Sequence, residues 1–547
     1  MSYQESNTAN SDMAWSPDDG AYAPVPAPSP GSLWLDRLSI STLLVLIFLQ
    51  PLLFGGVHLP VFYACSFLAL LAASASLFNW RESLHALEPY RWIFASLSAF
   101  ALLVMASFIL PIHGGTAAHP VTGQSPGLPD YFAARNYLLG FLGFVGTLCL
   151  TLCWLSRSSR RLERLPDWLC LMAFLTGLTA LCHWFYDNGK LFWTFEPEYI
   201  FISTRARWPF VNPDHLAAFL LPGFFLILGR LVVRLHQHYA SGHTSTLSQL
   251  ASSKRSQAHL ISAAFNGLAL AVVLVTIAGS LSRGAWFGLA IASLLFYACM
   301  RTIGAPQATL NVADNSNPYA DSHSGQHSAS NHRRHRHRRS RSTPRMQLPA
   351  FSRLAQGLLL IFVIALLVMF LGARGGELLM QRIDFGLMYT KDDIRWQMYS
   401  DTLKMIADHL FWGVGPGGWA ASYPRYMNQL LSGINPVYLH SVPLQLLAEM
   451  GIAGVILLLC PFLLVLERVV KAIHSKAASA KIRIKTAAVF SGLSALLLAS
   501  CFDFPLNIPA VASSMAIFLA LLLHYSNLGL QEIGQTSASP AEKSETH

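Results

Sequence analysis

Four segments of a 547-residue, largely apolar chain carry residue types that handle phosphate and protons. They are "STRARWPFVNPDHLAAFLLPG" with Arg205 and Arg207, "GSLSRGAWFGL" with Arg283, "DDIRWQMY" with Arg395, and "VYLHSVPLQLLAEMGIAG" with His440. A guanidinium has a permanent charge and a planar fork of donors matched to two phosphate oxygens. Several converging arginines can therefore hold a diphosphate without a metal. Imidazole, with an unperturbed pKa of about 6.5, is mostly neutral near pH 7 and can take a proton from a hydroxyl.

Each candidate also has a plainer reading. Arg283 fits a snorkelling anchor in the turn between two spans. Arg205 and Arg207 fit ordinary loop charges, and Arg395 follows Asp392 and Asp393, which can pair with it locally. His440 is one of 20 histidines, with His113, His119 and His215 as rivals on the same side. In "FDFPLNIPA", Asp503 reads as structural, either pairing with one of the arginines or capping the next helix. Glu449 falls inside an apolar stretch, where a carboxylate needs a partner or a role. No Asp/Glu or His/Cys group outside has metal-ligand spacing, so neither a metal nor a cofactor is expected.

The elements that must position these residues are membrane helices. The chain is 53% hydrophobic and 12% charged, with a mean hydropathy of +0.42, which excludes an ordinary soluble domain. A bilayer core about 30 Å thick needs roughly 20 apolar residues per helix. Twelve such stretches are expected near 38–58, 60–78, 92–111, 136–155, 167–184, 213–235, 259–280, 284–300, 354–372, 441–466, 486–503 and 509–527. The fold class is thus all-α and polytopic. Its parts are a tail at 1–37, helices 1–8 over 38–300, a linker at 301–353, helices 9–12 over 354–530, and a tail at 531–547. A large outer loop, 373–440, lies within the fourth part. In it "DIRWQMYSDTLKMIADHLFWG" reads as a helix with Ile394, Met398, Leu403, Ile406 and Leu410 near one face. The Gly/Pro turn "GVGPGGWAASYPRYM" follows, and the two together suggest a folded cap.

Charge gives the bundle a direction. With the N-terminus cytoplasmic, 27 of the 38 Lys and Arg fall in inner segments, among them Arg157 to Arg164, Arg301 to Arg353 and Arg468 to Lys485. The net charge of +10 then reports topology and contact with membrane lipids; nucleic acid is the weaker reading. The segment "DSHSGQHSASNHRRHRHRRSRSTPR" reads as a disordered cationic linker against an anionic leaflet rather than a metal site. The first span serves as an uncleaved insertion signal. The eight cysteines lie in or beside spans without CxxC spacing and read as small core hydrophobes. With this topology Arg205, Arg207, Arg283, Arg395 and His440 share the outer face, where the positive-inside bias works against retaining cations.

The segments "WPFVNPDHLAAFLLPG", "SLSRGAWFGL", "DTLKMIADHLFWGVGPGGWAASYPRYM" and "YLHSVPLQLLAEMGIAGVILLL" resemble, in that order, the O-antigen ligase and polymerase superfamily, over about residues 200–530. The resemblance implies a bacterial inner-membrane enzyme with both termini cytoplasmic and a periplasmic site. Its reaction would move a glycan from an undecaprenyl-diphosphate carrier to an acceptor hydroxyl of a glycolipid, polysaccharide or protein. It carries over Arg205 or Arg207, Arg283 and His440. From these parts the expected mechanism is a diphosphate clamp of Arg205 or Arg207 and Arg283, joined by Arg395 from its own position, with His440 as general base in an inverting transfer that the absent metal-ligand spacing leaves metal-independent. Ser441 and Asp214 stand where many relatives carry Asn. Polymerase and protein-glycosylating variants share this chemistry. A transporter or flippase would instead show paired repeats and interrupted helices, and a receptor or assembly protein would use the outer loop without catalysis.

Overall fold

In hydrocarbon a backbone has no water to bond, and helices satisfy their polar groups within one segment. The computed structural model follows this rule throughout. It describes residues 30–77, 80–110, 128–186, 188, 190, 192–194, 205–240, 254–304, 394–428 and 436–538, and no strand occurs among them. Twelve main helices are labelled in chain order. They are α1 (Pro30–Leu44), α2 (Leu59–Ser76), α3 (Arg91–Ala106), α4 (Tyr131–Ser156), α5 (Ser159–Phe185) and α6 (Pro213–Ala240). After these come α7 (Lys254–Gly279), α8 (Arg283–Gly304), α9 (Ile394–Asp408), α10 (Val442–His474), α11 (Ala480–Ala499) and α12 (Pro509–Ala538).

Among the described residues, eleven segments are long and apolar enough to cross a membrane, and they coincide with eleven of the twelve expected spans. The protein is an all-α polytopic membrane protein. The expected ninth span, 354–372, lies outside the described residues, as do Asp392, Asp393, His113, His119 and the His/Arg-rich linker. Two boundaries differ from expectation. Helix α1 begins at Pro30, inside the segment read as a tail, and α12 runs to Ala538, beyond the expected limit of 530.

Helices α6 and α11 form the centre, with α8 against α11 and α7 against α6. Lipid tails are as apolar as leucine, so close approach at small residues drives such pairing. A Cβ on Gly288 of α8 would lie 2.5 Å from the Ala495 carbonyl oxygen of α11. One on Gly229 of α6 would lie 2.3 Å from the Ala488 Cβ. These contacts fix how the helix ends meet.

One end of the bundle gathers the starts of α4, α6, α8 and α10 and the α11–α12 turn. The other end carries basic residues in structural contacts. Arg157 and Arg161 meet Asp36, Arg230 meets Asp167, and Arg483 bonds the Ile473 and Thr302 carbonyls. Helix α8 ends at that second end, and α9 begins at the first.

Gly288→Val inserts an isopropyl group against backbone that cannot retreat and should cost about 1–3 kcal/mol. Gly267 has nothing within 4 Å of an added Cβ, so Gly267→Ala should be neutral or slightly stabilising. Thermal unfolding of both variants in the same detergent checks the contrast.

Candidate functional site

The site is built on the α11–α12 turn, residues 500–504. Its backbone and side chains meet three other elements. The Ser500 carbonyl accepts from the Val442 N–H at the start of α10, at 2.9 Å. The Phe502 carbonyl accepts from the Arg395 guanidinium of α9 at 3.3 Å. Phe502 itself packs on Phe287, one turn into α8 after Arg283, with ring centroids 5.4 Å apart. Its Cβ is 3.3 Å from where a Cβ on Gly284 would stand. The turn therefore brings Arg283, Arg395 and His440 to one place.

Asp503 is buried, and its Oδ1 lies 2.7 Å from His440 Nδ1. A carboxylate only accepts, so Nδ1 donates and Nε2 is left as the nitrogen able to receive a proton. Oδ2 has no hydrogen-bond donor among the described residues and lies 3.5 Å from His215 Nε2. The Phe504 ring lies edge-on to both imidazoles, 4.9 Å from His440 and 4.7 Å from His215, and stacks on Tyr438 at 4.4 Å. Burial, then the nearby Glu449 carboxylate, push the Tyr438 phenol above its usual range. It stays neutral beside the site.

The structure corrects the sequence reading of Asp503. Among the described residues it pairs with no arginine and caps no helix; its carboxylate lies between two histidines. His215, taken as a rival to His440, stands behind it on the same carboxylate. Sequence spacing carries no trace of the pairing, since Asp503 and His440 are 63 residues apart. The available signal was that the short "FDFP" turn sets an acid between two apolar spans on the side expected to hold the cations.

Arg205 and Arg207 occupy different surroundings from Arg283. Arg205 forms a 2.7 Å ion pair with Asp214 and bonds the Ser280 carbonyl, while the next residue, Ala206, donates to Gly279. Asp214 in turn accepts from Ser282. Asp214 thus neutralises Arg205 and ties the 205–214 segment to the turn before Arg283. Arg207 is buried, with its guanidinium 4.7 Å from the Trp208 ring centre. Arg283 is exposed at the first position of α8, whose start is capped by Ser282 Oγ accepting from the Ala285 N–H.

The expected cap is present, with a different inner face. Helix α9 buries Met398, Asp401, Thr402, Met405 and Ile406, whereas Ile394, Leu403 and Leu410 are exposed. Asp401 is tolerated inside because it accepts from Lys404, the Asn428 N–H and, at 3.5 Å, the Tyr423 hydroxyl. Trp419 donates to Thr402 at 3.0 Å.

The glycine-rich segment 413–418 docks where α10 is broken. Gly451 has φ 61° and ψ −168°, open only to glycine. Residues 410–415 close the break: Leu410 and Phe411 accept from Ile452 and Ala453, and Val414 and Gly415 donate to Ala448 and Glu449. The Glu449 side chain accepts from Gln445 at 2.9 Å and from the Gly417 and Trp419 N–H groups. The break in α10 at Gly451 is thus filled by the cap.

Residues 332–459 match the family model described as O-antigen ligase. The match supports membership of the O-antigen ligase superfamily. It contains Arg395, the cap, His440 and the broken part of α10, and stops short of Asp503. Comparison with curated proteins finds no match. The family supports ligase- or polymerase-type glycan chemistry in general.

Two outcomes follow for the cap. A Cβ on Gly413, at φ 70°, would lie 2.3 Å from the Glu449 carbonyl carbon. Gly413→Ala should therefore release the cap and speed proteolytic cleavage within 394–428. Burial and Asp401 raise the Tyr423 phenol from 10 to about 12. The unfolded cap ionises first, so stability present below about pH 10 should be lost as pH rises towards 12. Tryptophan fluorescence of Trp419 against pH reads this loss.

Proposed function

We propose that the chain is an inverting glycosyltransferase of the O-antigen ligase type. It moves a glycan from undecaprenyl diphosphate to a hydroxyl of a glycolipid such as lipid A-core, at the periplasmic face of the inner membrane. The observation that carries the reading is His440 Nδ1 on Asp503, with Arg395 bonding the same α11–α12 turn and Phe287, one helical turn after Arg283, packed on it.

Nε2 of His440 removes the proton of the acceptor hydroxyl as its oxygen attacks the anomeric carbon. The bond from that carbon to the diphosphate oxygen breaks, and its electron pair leaves with undecaprenyl diphosphate. Attack opposite the leaving group inverts the anomeric centre. Arg283 and Arg395 stabilise the charge that grows on the diphosphate. Arg205 is already neutralised by Asp214, so its part is to hold the turn that presents Arg283; Arg207 supports the same wall beneath Trp208. Asp503 keeps His440 in the productive tautomer and stabilises the imidazolium formed in the step. That proton then passes to solvent. Both termini are assigned to the cytoplasm because structural contacts of basic residues gather at the end opposite the site.

Purified protein is incubated with undecaprenyl-diphosphate glycan and, in separate arms, glycolipid, polysaccharide or peptide acceptors. Transfer to the glycolipid is expected, with the anomeric configuration inverted and no dependence on added divalent metal. His440→Ala should lower kcat by at least 10²-fold, and Arg283→Ala should weaken transfer by 10-fold or more. Folded variants turning over like wild type, or transfer only with added metal, would sink the mechanism.

A further inference from the structure

His440 sits in a conformation that L residues avoid. Its φ is 60°, in the left-handed region, and it is neither glycine nor asparagine. Such a backbone persists only where its surroundings hold it. Three bonds do so here. On one side Leu439 donates to Gln445 Oε1 at 3.2 Å, on the other Val442 donates to the Ser500 carbonyl at 2.9 Å, and the His440 carbonyl itself accepts from the Tyr399 hydroxyl at 2.7 Å. The first ties the residue before His440 to α10, and the second ties the start of α10 to the α11–α12 turn. The third comes from the cap.

Tyr399 is one helical turn after Arg395 on α9, so both lie on the same face. That face meets the site at two points. Arg395 bonds the Phe502 carbonyl, next to Asp503, and Tyr399 bonds the His440 carbonyl. The adjoining face of α9 is fixed to the cap core by Met398, Thr402 and Met405. A shift of α9 therefore moves both points together.

We propose that Tyr399 is a positioning residue: its hydroxyl holds the left-handed backbone of His440 so that Nδ1 stays on Asp503, which makes competence of the base depend on docking of α9. This rests on the proposed function, which makes His440 the base and Arg395 a diphosphate ligand. The arginine that meets the donor and the hydroxyl that sets the base ride on one rigid helix. Donor binding at Arg395 favours the docked position, and the docked position is the one in which His440 is aimed.

The test is a double-mutant cycle on the full-length protein, reading kcat and donor KM separately. Tyr399→Phe removes one hydroxyl and keeps the ring. It should lower kcat about fivefold to tenfold and leave donor KM unchanged. Arg395→Ala should raise donor KM. In an Asp503→Asn background, Tyr399→Phe should cost less than twofold, because an amide no longer fixes Nδ1 as the donor and the alignment that Tyr399 protects has lost its effect. Thr402→Val deletes a hydrogen-bonding hydroxyl from the same helix away from His440; it should lower stability without changing kcat of the folded protein.

Loss of kcat in Thr402→Val equal to that in Tyr399→Phe would make the effect general cap damage and overturn the proposal. So would full additivity with Asp503→Asn, or wild-type kcat in folded Tyr399→Phe while His440→Ala is inactive. An inactive wild type, or an active His440→Ala, would instead remove the proposed function and this inference with it.

Discussion

The 2.7 Å bond between Asp503 and His440 is the interaction on which the rest of the site depends. It spans two helix turns, and both carry a cost. Asp503 is a buried acid at the end of an apolar bundle, and His440 has a left-handed backbone. A buried carboxylate persists only when partners offset its lost hydration. Here one oxygen has the His440 N–H, and the other faces His215 at 3.5 Å. Moving either turn by an ångström would leave Asp503 without compensation.

What prevents that movement is helix packing well below the site. Gly288 on Ala495 and Gly229 on Ala488 bring α8, α11 and α6 together at backbone distance. The ends of these helices then have little freedom. The turn before Arg283 is tied to the 205–214 segment through Arg205, Asp214 and Ser280, and the 500–504 turn is tied to α10 through Ser500. Ordinary small-residue packing thereby becomes positional accuracy at the candidate site.

The cap adds a second level of control. It fills the break in α10 at Gly451, and Glu449 bonds its glycine loop from within the bundle. An unfilled break in a membrane helix would expose unpaired backbone groups; filled, it becomes an anchor. The cap is thus held by α10 at one edge and reaches His440 and the 500–504 turn through α9 at the other.

The sequence alone determined the spans, because hydropathy over about 20 residues reports the solvent of each segment directly. It also determined which residues could share a face, because alternation of spans and the placement of Lys and Arg are properties of chain order. Arg205, Arg207, Arg283, Arg395 and His440 were all legible in that way, as was the helix beginning near Ile394. Tertiary structure decided their division of labour. It spent Arg205 on Asp214, buried Arg207 under Trp208, left Arg283 exposed, and gave His440 a partner 63 residues away. It also turned the apolar face of α9 away from Leu403 and Leu410, towards a buried Asp401. Hydropathy and spacing are local quantities. Which turn meets which is set by contacts such as Gly288–Ala495, formed between segments far apart in sequence.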